Sequence, residues 1–217
     1  MNSSFNVVDF AIQLAVILFA ISFHESAHAW MALRFGDPTA RDLGRISLNP
    51  IRHIDLFGSV ILPILLYFTS GMLFGYAKPT PVNLSRTRNP RMADVAVSAA
   101  GPVSNLLLAF IGVPVMYLLR RSGAVLGDSI LSPLWYIGYQ FLLINVSLGV
   151  FNLIPIPPLD GSWILAAAFG ERVRLFFHQF GRFGFLILVV LSYTGILGRF
   201  LTPVIVGIFN LIKRVIA

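Results

Sequence analysis

His24-Glu25-Ser26-Ala27-His28 sets two imidazoles four residues apart with a carboxylate between them. On a helix, positions i and i+4 lie on one face, one turn apart. Such a pair could hold one Zn²⁺ while Glu25 faces a water beside the metal. The pattern is short and recurs by chance, so its setting carries the weight. It sits in an apolar run from about Val8 to Leu33. A charged side chain at the middle of a membrane helix costs roughly 2.5–3.5 kcal/mol on insertion scales. A Glu and two His there call for a reason. A metal supplies one; a polar helix–helix contact and the proton relay of a transporter are the alternatives.

A catalytic zinc usually takes three protein ligands and keeps a fourth position for water. Asp160 is the candidate third. It is the only acidic residue between Asp128 and Glu171, and it follows Pro155, Pro157 and Pro158, which break an apolar run. The break would bring a side chain into the bundle interior; the competing role is an ordinary cap on the stretch Gly161–Phe169. In hydrolysis, Glu25 would act as general base, and the zinc would polarise a carbonyl. Asn152 is the candidate donor to the anion that develops there, against a plain role in tying down the broken helix. Asn105 reads as a packing or supporting hydrogen bond. His53 could line a substrate entrance or guard an idle metal, or simply pair with Asp55 at the surface. His178 is given no chemistry.

The elements that must position these residues are membrane helices. Apolar residues make up 57% of the 217 and charged residues only 12%, about half the charge of an ordinary soluble domain. The net charge of +7 does not point to nucleic acid, because the basic residues lie between apolar segments and form no continuous patch. There is no Cys, hence no disulfide. The N-terminus lacks the basic stretch of a signal peptide, and the first apolar run is expected to remain in the mature protein. Further runs are about Phe57–Tyr76, Ala93–Leu119, Pro133–Ile154, Leu175–Leu197 and Phe200–Ile212, each near the length a bilayer requires. The expected fold is all-α: a polytopic membrane bundle of about five transmembrane helices plus one re-entrant or sixth segment. The chain reads as one integral-membrane domain, residues 1–217, with a core at about 8–170 and C-terminal helices at about 175–213.

Phe57–Tyr76, interrupted by Pro63, Gly71 and Gly75, decides the topology. If it spans, the 16 basic residues divide almost evenly between the two faces. If it dips in and returns, only Arg120, Arg121 and Arg199 fall on one face, and the positive-inside rule favours that arrangement. It also brings Asp160 to the face that His24 approaches, about 15 Å from Arg34 at the helical rise. Arg41–Ile54, with a return arm near Lys78–Val82, is expected to form a strand or hairpin edge beside the metal to which an extended substrate adds, or else only a cytoplasmic lid.

The combination resembles a known family. An H-E-x-x-H in an early apolar helix, followed about 130 residues later by Asn152-Leu153-Ile154-Pro155-Ile156-Pro157-Pro158-Leu159-Asp160-Gly161, looks like the site-2 proteases. Ala100-Gly101-Pro102-Val103-Ser104-Asn105 resembles that family's central core helix. Leu48–Asp55 and Ala77–Asn83 look like its compact bacterial and archaeal branch, without a PDZ-like or CBS-like insert. The resemblance covers about Ile21 to Gly161. It implies a three-helix catalytic core, zinc, and cleavage of transmembrane segments of other proteins in a lipid bilayer. The implied setting is a prokaryotic plasma membrane, with the active site toward the cytoplasm. A transporter or channel using Glu25 and Asp160 along an ion path, and a catalytically silent scaffold, are the competing functions.

Overall fold

The computed structural model describes residues 6–62, 64–65, 76–125 and 129–216. Each apolar run becomes a helix, bounded by the residues that satisfy its ends. Helix α1 spans Val7–Arg34, and the Asn6 side chain accepts from the amides of Val8 and Asp9. A short α2, Thr39–Asp42, follows. Helix α3, Pro90–Arg121, opens on Asn89, whose side chain accepts from the Met92 amide, with Pro90 in the first turn. Then come α4, Ser132–Asn152; α5, Asp160–Phe169; α6, Glu171–Tyr193; and α7, Ile196–Ile216. By length and composition α1, α3, α4 and α7 can each cross a membrane, and α6 makes a fifth if its two halves, bent by 74°, count as one span. The all-helical membrane bundle expected from the sequence is what forms.

Helix α3 is the hub, packed against α1, α4 and α5. Its C-terminal half meets α4 and α7 through Ala109, Val113, Met116, Leu142, Val146, Phe209 and Ile216. In lipid there is no hydrophobic drive between helices, so such contacts hold by close van der Waals packing. The opposite side of α3 turns Leu107, Phe110, Ile111 and Leu118 outward, as a lipid-facing surface would.

The described ends of the path between α1 and α3 are consistent with the re-entrant arrangement. The Arg88 amide donates to the Phe35 carbonyl at 3.0 Å, so α3 begins where α1 stops. The Tyr76 amide donates to the Gly58 carbonyl at 3.0 Å, and the Ser59 hydroxyl to the Tyr76 carbonyl at 2.8 Å. The two described ends of this run therefore lie side by side. A straight span of that length would separate its ends by about 30 Å. The expected turn at Pro63, Gly71 and Gly75 lies outside the described residues.

The expected strand does not form among the described residues. Thr39–Asp42 is a helical turn and Pro50–Arg52 a 3₁₀ turn, with an unpaired run between them. Side chains take the hydrogen bonds a neighbouring strand would have made. The Ser47 carbonyl accepts from the Ser26 hydroxyl at 2.5 Å and lies 2.7 Å from His53 Nε2, and the Ser47 amide donates to Ser26 Oγ at 3.1 Å.

Candidate metal centre

His24 and His28 lie on the face of α1 that meets α3, with ring centroids 4.6 Å apart. Asp160 reaches them from the first turn of α5. Its Oδ2 is 3.0 Å from His24 Nε2, and its Oδ1 is 3.4 Å from His28 Nε2. Ligand atoms of the three residues all fall within 4.8 Å of one another. Both imidazoles are buried and Asp160 nearly so.

Three devices put Asp160 there. The break after α4 turns the chain back. Gly161 then lets α5 start hard against the Leu153 and Ile154 carbonyls, where a Cβ would collide. At the far end of α5, the Arg91 guanidinium from α3 grips the Ala167 and Ala168 carbonyls at 2.9 and 3.0 Å. The helix is thus fixed at both ends against α3.

The imidazole tautomers follow from the hydrogen bonds behind them. Asn105 is fully buried, and its Nδ2 donates both hydrogens, to the Ala20 carbonyl at 3.2 Å and to Asn145 Oδ1 at 3.0 Å. Its Oδ1 must then accept, and it lies 2.6 Å from His24 Nδ1. Asn145 is held in turn by the Phe141 carbonyl at 2.9 Å. His28 Nδ1 is 2.6 Å from the Val97 carbonyl and must donate to it. Both neutral rings therefore carry their proton on Nδ1 and aim a bare Nε2 lone pair at Asp160. With both rings neutral, two nitrogen lone pairs and a carboxylate would face one another, and Asp160 Oδ2 is buried among them. A cation resolves this repulsion. The donor set, two imidazole nitrogens and a carboxylate, is one that zinc takes in catalytic sites. Space is reserved as well: a Cβ at Gly101 would strike Nε2 of both histidines.

Glu25 is one residue along from His24, and Thr80 of the Pro79-Thr80-Pro81 arm holds its carboxylate. Its Oε2 accepts from the Thr80 amide at 2.9 Å and the Thr80 hydroxyl at 2.8 Å. Asn152 is not drawn into this constellation by any hydrogen bond. Its Nδ2 donates to the Leu148 carbonyl one turn back, at 3.0 Å, which is the helix-tying role. His53 departs from its expected surface pairing. It is 1% exposed, locked onto the Ser47 carbonyl, while Asp55 instead caps Gly58 at 2.7 Å. The His178 ring lies against Trp163. Asn145 and Thr80 went unmarked in the sequence as individual residues. Asn145 carried the signal that flagged Glu25, a polar side chain inside an apolar run; Thr80, a neutral residue in a loop, carried none.

This geometry agrees with what the chain resembles. The profile of peptidase family M50 matches residues 12–127 and 121–193. The chain belongs to peptidase family M50. This M50 chain is 40% identical to "Putative zinc metalloprotease YwhC" of Bacillus subtilis, over 88% of its own length and 84% of the relative's. It is 30% identical to "Putative zinc metalloprotease Rip2" of Mycolicibacterium smegmatis, over 93% and 74% of the two chains. To "Putative zinc metalloprotease MJ0611" of Methanocaldococcus jannaschii the identity is 26%, over 75% and 73%. No solved structure matches the M50 chain significantly. The site-2 protease resemblance of Ile21–Gly161 is thus a family membership that takes in most of the sequence.

Proposed function

We propose that His24, His28 and Asp160 hold one zinc ion per chain and that Glu25 is the general base of an intramembrane protease. Membership of the M50 family makes the chain an intramembrane zinc metalloprotease; the residue roles are the new part. The observation that carries them is the convergence of two histidine Nε2 atoms, each ring backed at Nδ1 by an acceptor, and a buried carboxylate, beside a Glu held by Thr80. A zinc ion held there would supply Lewis-acid polarisation of the scissile carbonyl and acidify a water. Glu25 takes the proton from the attacking water and returns it to the leaving amine. Asn105 and the Val97 carbonyl keep the imidazoles in the tautomer that ligates. Asn152 spends one Nδ2 hydrogen on Leu148 and has a second to offer the carbonyl oxygen. The substrates are membrane proteins cut within or near their transmembrane segments. The thirteen basic residues on the site's face orient it toward the cytoplasm of a prokaryotic cell.

A transmembrane helix shields its peptide bonds, and unwinding it in lipid leaves backbone groups unpaired. The run Arg45–Asn49 offers partners. Among the described residues, the backbone N–H and C=O groups of Ile46 and Leu48 make no hydrogen bond. Leu48 also borders an apolar cleft of about 340 Å³ between α1 and α3. The unwound substrate lies along this run as an added strand, with a side chain in the cleft.

The test is Glu25→Gln in nanodiscs, with a fluorogenic transmembrane peptide carrying Gly and Pro at mid-membrane. The variant keeps its zinc and loses turnover by about 10²–10⁴-fold. Near-normal cleavage removes Glu25 as the base.

A further inference from the structure

The stretch Tyr76–Thr80 of the arm is fastened to the protein by every second amide. Tyr76 N–H donates to the Gly58 carbonyl, Lys78 N–H to the His53 carbonyl at 2.9 Å, and Thr80 N–H to Glu25 Oε2 at 2.9 Å. Extended backbone alternates its N–H groups between two sides, so one edge of the arm faces inward along its length. The other edge is disabled in the sequence, because two of its outward positions are Pro79 and Pro81 and carry no N–H. The Asn83 amide, on the Asp37 carboxylate at 2.6 Å, anchors the end of the arm. An arm built this way is a fixed strap rather than an edge for a substrate or a hinged cover, with prolines stiffening it on both sides of Thr80.

What the strap presents to Glu25 is specific. Two donors from the single residue Thr80 meet the same oxygen, Oε2, and the hydroxyl also lies 3.1 Å from the Glu25 backbone carbonyl. Oε1 makes no hydrogen bond among the described residues. A free glutamate side chain turns about three torsions. This one is pinned by one oxygen so that the other is left to exchange protons. We propose that Thr80 is the positioning residue of the general base: its amide and hydroxyl hold Oε2, and Oε1 is the atom that takes the proton from water. This rests on the reading of Glu25 as base. It also gives the Pro-Thr-Pro sequence a chemical purpose, since the flanking prolines fix the donor pair without offering a competing N–H outward.

The experiment replaces Thr80 by Val, which keeps the amide and the branched shape but loses the hydroxyl, and by Ser, which restores it. The probe substrate is the fluorogenic transmembrane peptide in nanodiscs. Thr80→Val should lower kcat about tenfold to a hundredfold, the range for losing a partner that orients a catalytic group, with KM and zinc content unchanged. Thr80→Ser should recover most of kcat. A second reading uses metal-free protein. The infrared carboxylate band that disappears in Glu25→Gln should move in Thr80→Val and return in Thr80→Ser. An unchanged kcat and band in Thr80→Val would overturn the proposal. A raised kcat would do so too, since it would make the strap an obstructing lid, and a change confined to KM would make Thr80 a substrate contact. If Glu25→Gln itself turns over normally, the base assignment fails first, and that failure is separate from any result at Thr80.

Discussion

Asn105→Leu removes the one acceptor that holds the His24 proton on Nδ1. Leucine is close in size, so the core volume is kept. Without Asn105 Oδ1 at 2.6 Å, the proton is free to sit on Nε2, the atom that must carry a lone pair to the metal. Loss of such an outer partner weakens metal binding about tenfold to a hundredfold, or about 1.4–2.7 kcal/mol. The same change strips a donor from Asn145 Oδ1, at about 1–3 kcal/mol for a buried group left unpaired, while the Ala20 carbonyl keeps its partner within α1. The two effects separate in the assay. Zinc affinity is measured in nanodiscs by competition with a chelator, on protein that keeps its helical circular dichroism, and thermal unfolding is followed on the metal-free form. Asn145→Leu is the comparison, because it leaves the Asn105–His24 contact in place and should cost stability with a smaller loss of affinity. Zinc affinity within twofold of wild type in Asn105→Leu, or an equal loss in both variants, would refute the tautomer argument.

Gly101→Ala places a methyl against both imidazole Nε2 atoms. Zinc should fall to near zero by elemental analysis while helical content holds, since alanine is favoured over glycine in a helix by about 1 kcal/mol. Ser47→Cys and Ser85→Cys, made singly in this cysteine-free chain, should label from the same side of sealed vesicles; opposite sides would mean that the segment between them spans. Burial opposes ionisation of Asp37, but hydrogen bonds from the Thr39 hydroxyl and the Asn83 and Thr39 amides, with Arg86 nearby, outweigh it and hold the carboxyl below its usual range. A depressed folded pKa contributes stability above the unfolded value, near 3.8, that is lost as pH falls through the folded one. The melting temperature of wild type should therefore exceed that of Asp37→Asn at pH 7, and the gap should close as the pH is taken below 3.8 and through the depressed folded value.

How far the sequence speaks depends on the residue. His24, His28, Glu25 and Asp160 stand out because ionisable groups in apolar runs are costly, and cost marks purpose. The helices announced themselves by length and hydropathy, and the distribution of arginines agrees with the adjacency of Gly58 and Tyr76. The loops were less legible. Arg41–Ile54 looked like a strand because it is polar and lies on the active-site side. Its bonds, however, go to Ser26 and His53 side chains, a choice made by packing on α1 that no local pattern encodes. His53 read as a surface residue beside Asp55 for the same reason. Thr80 depends on a contact across 55 positions of chain, and an isolated threonine carries no trace of it. Asn145 was within reach of the argument applied to Glu25.

The most direct test of the account is the zinc content of purified wild type and of His24→Ala, His28→Ala, Asp160→Ala and Glu25→Gln, each shown to remain folded by circular dichroism. The account predicts close to one zinc per chain in wild type and in Glu25→Gln, and little or none in the three ligand variants. Zinc retained at the wild-type level in those three would contradict it.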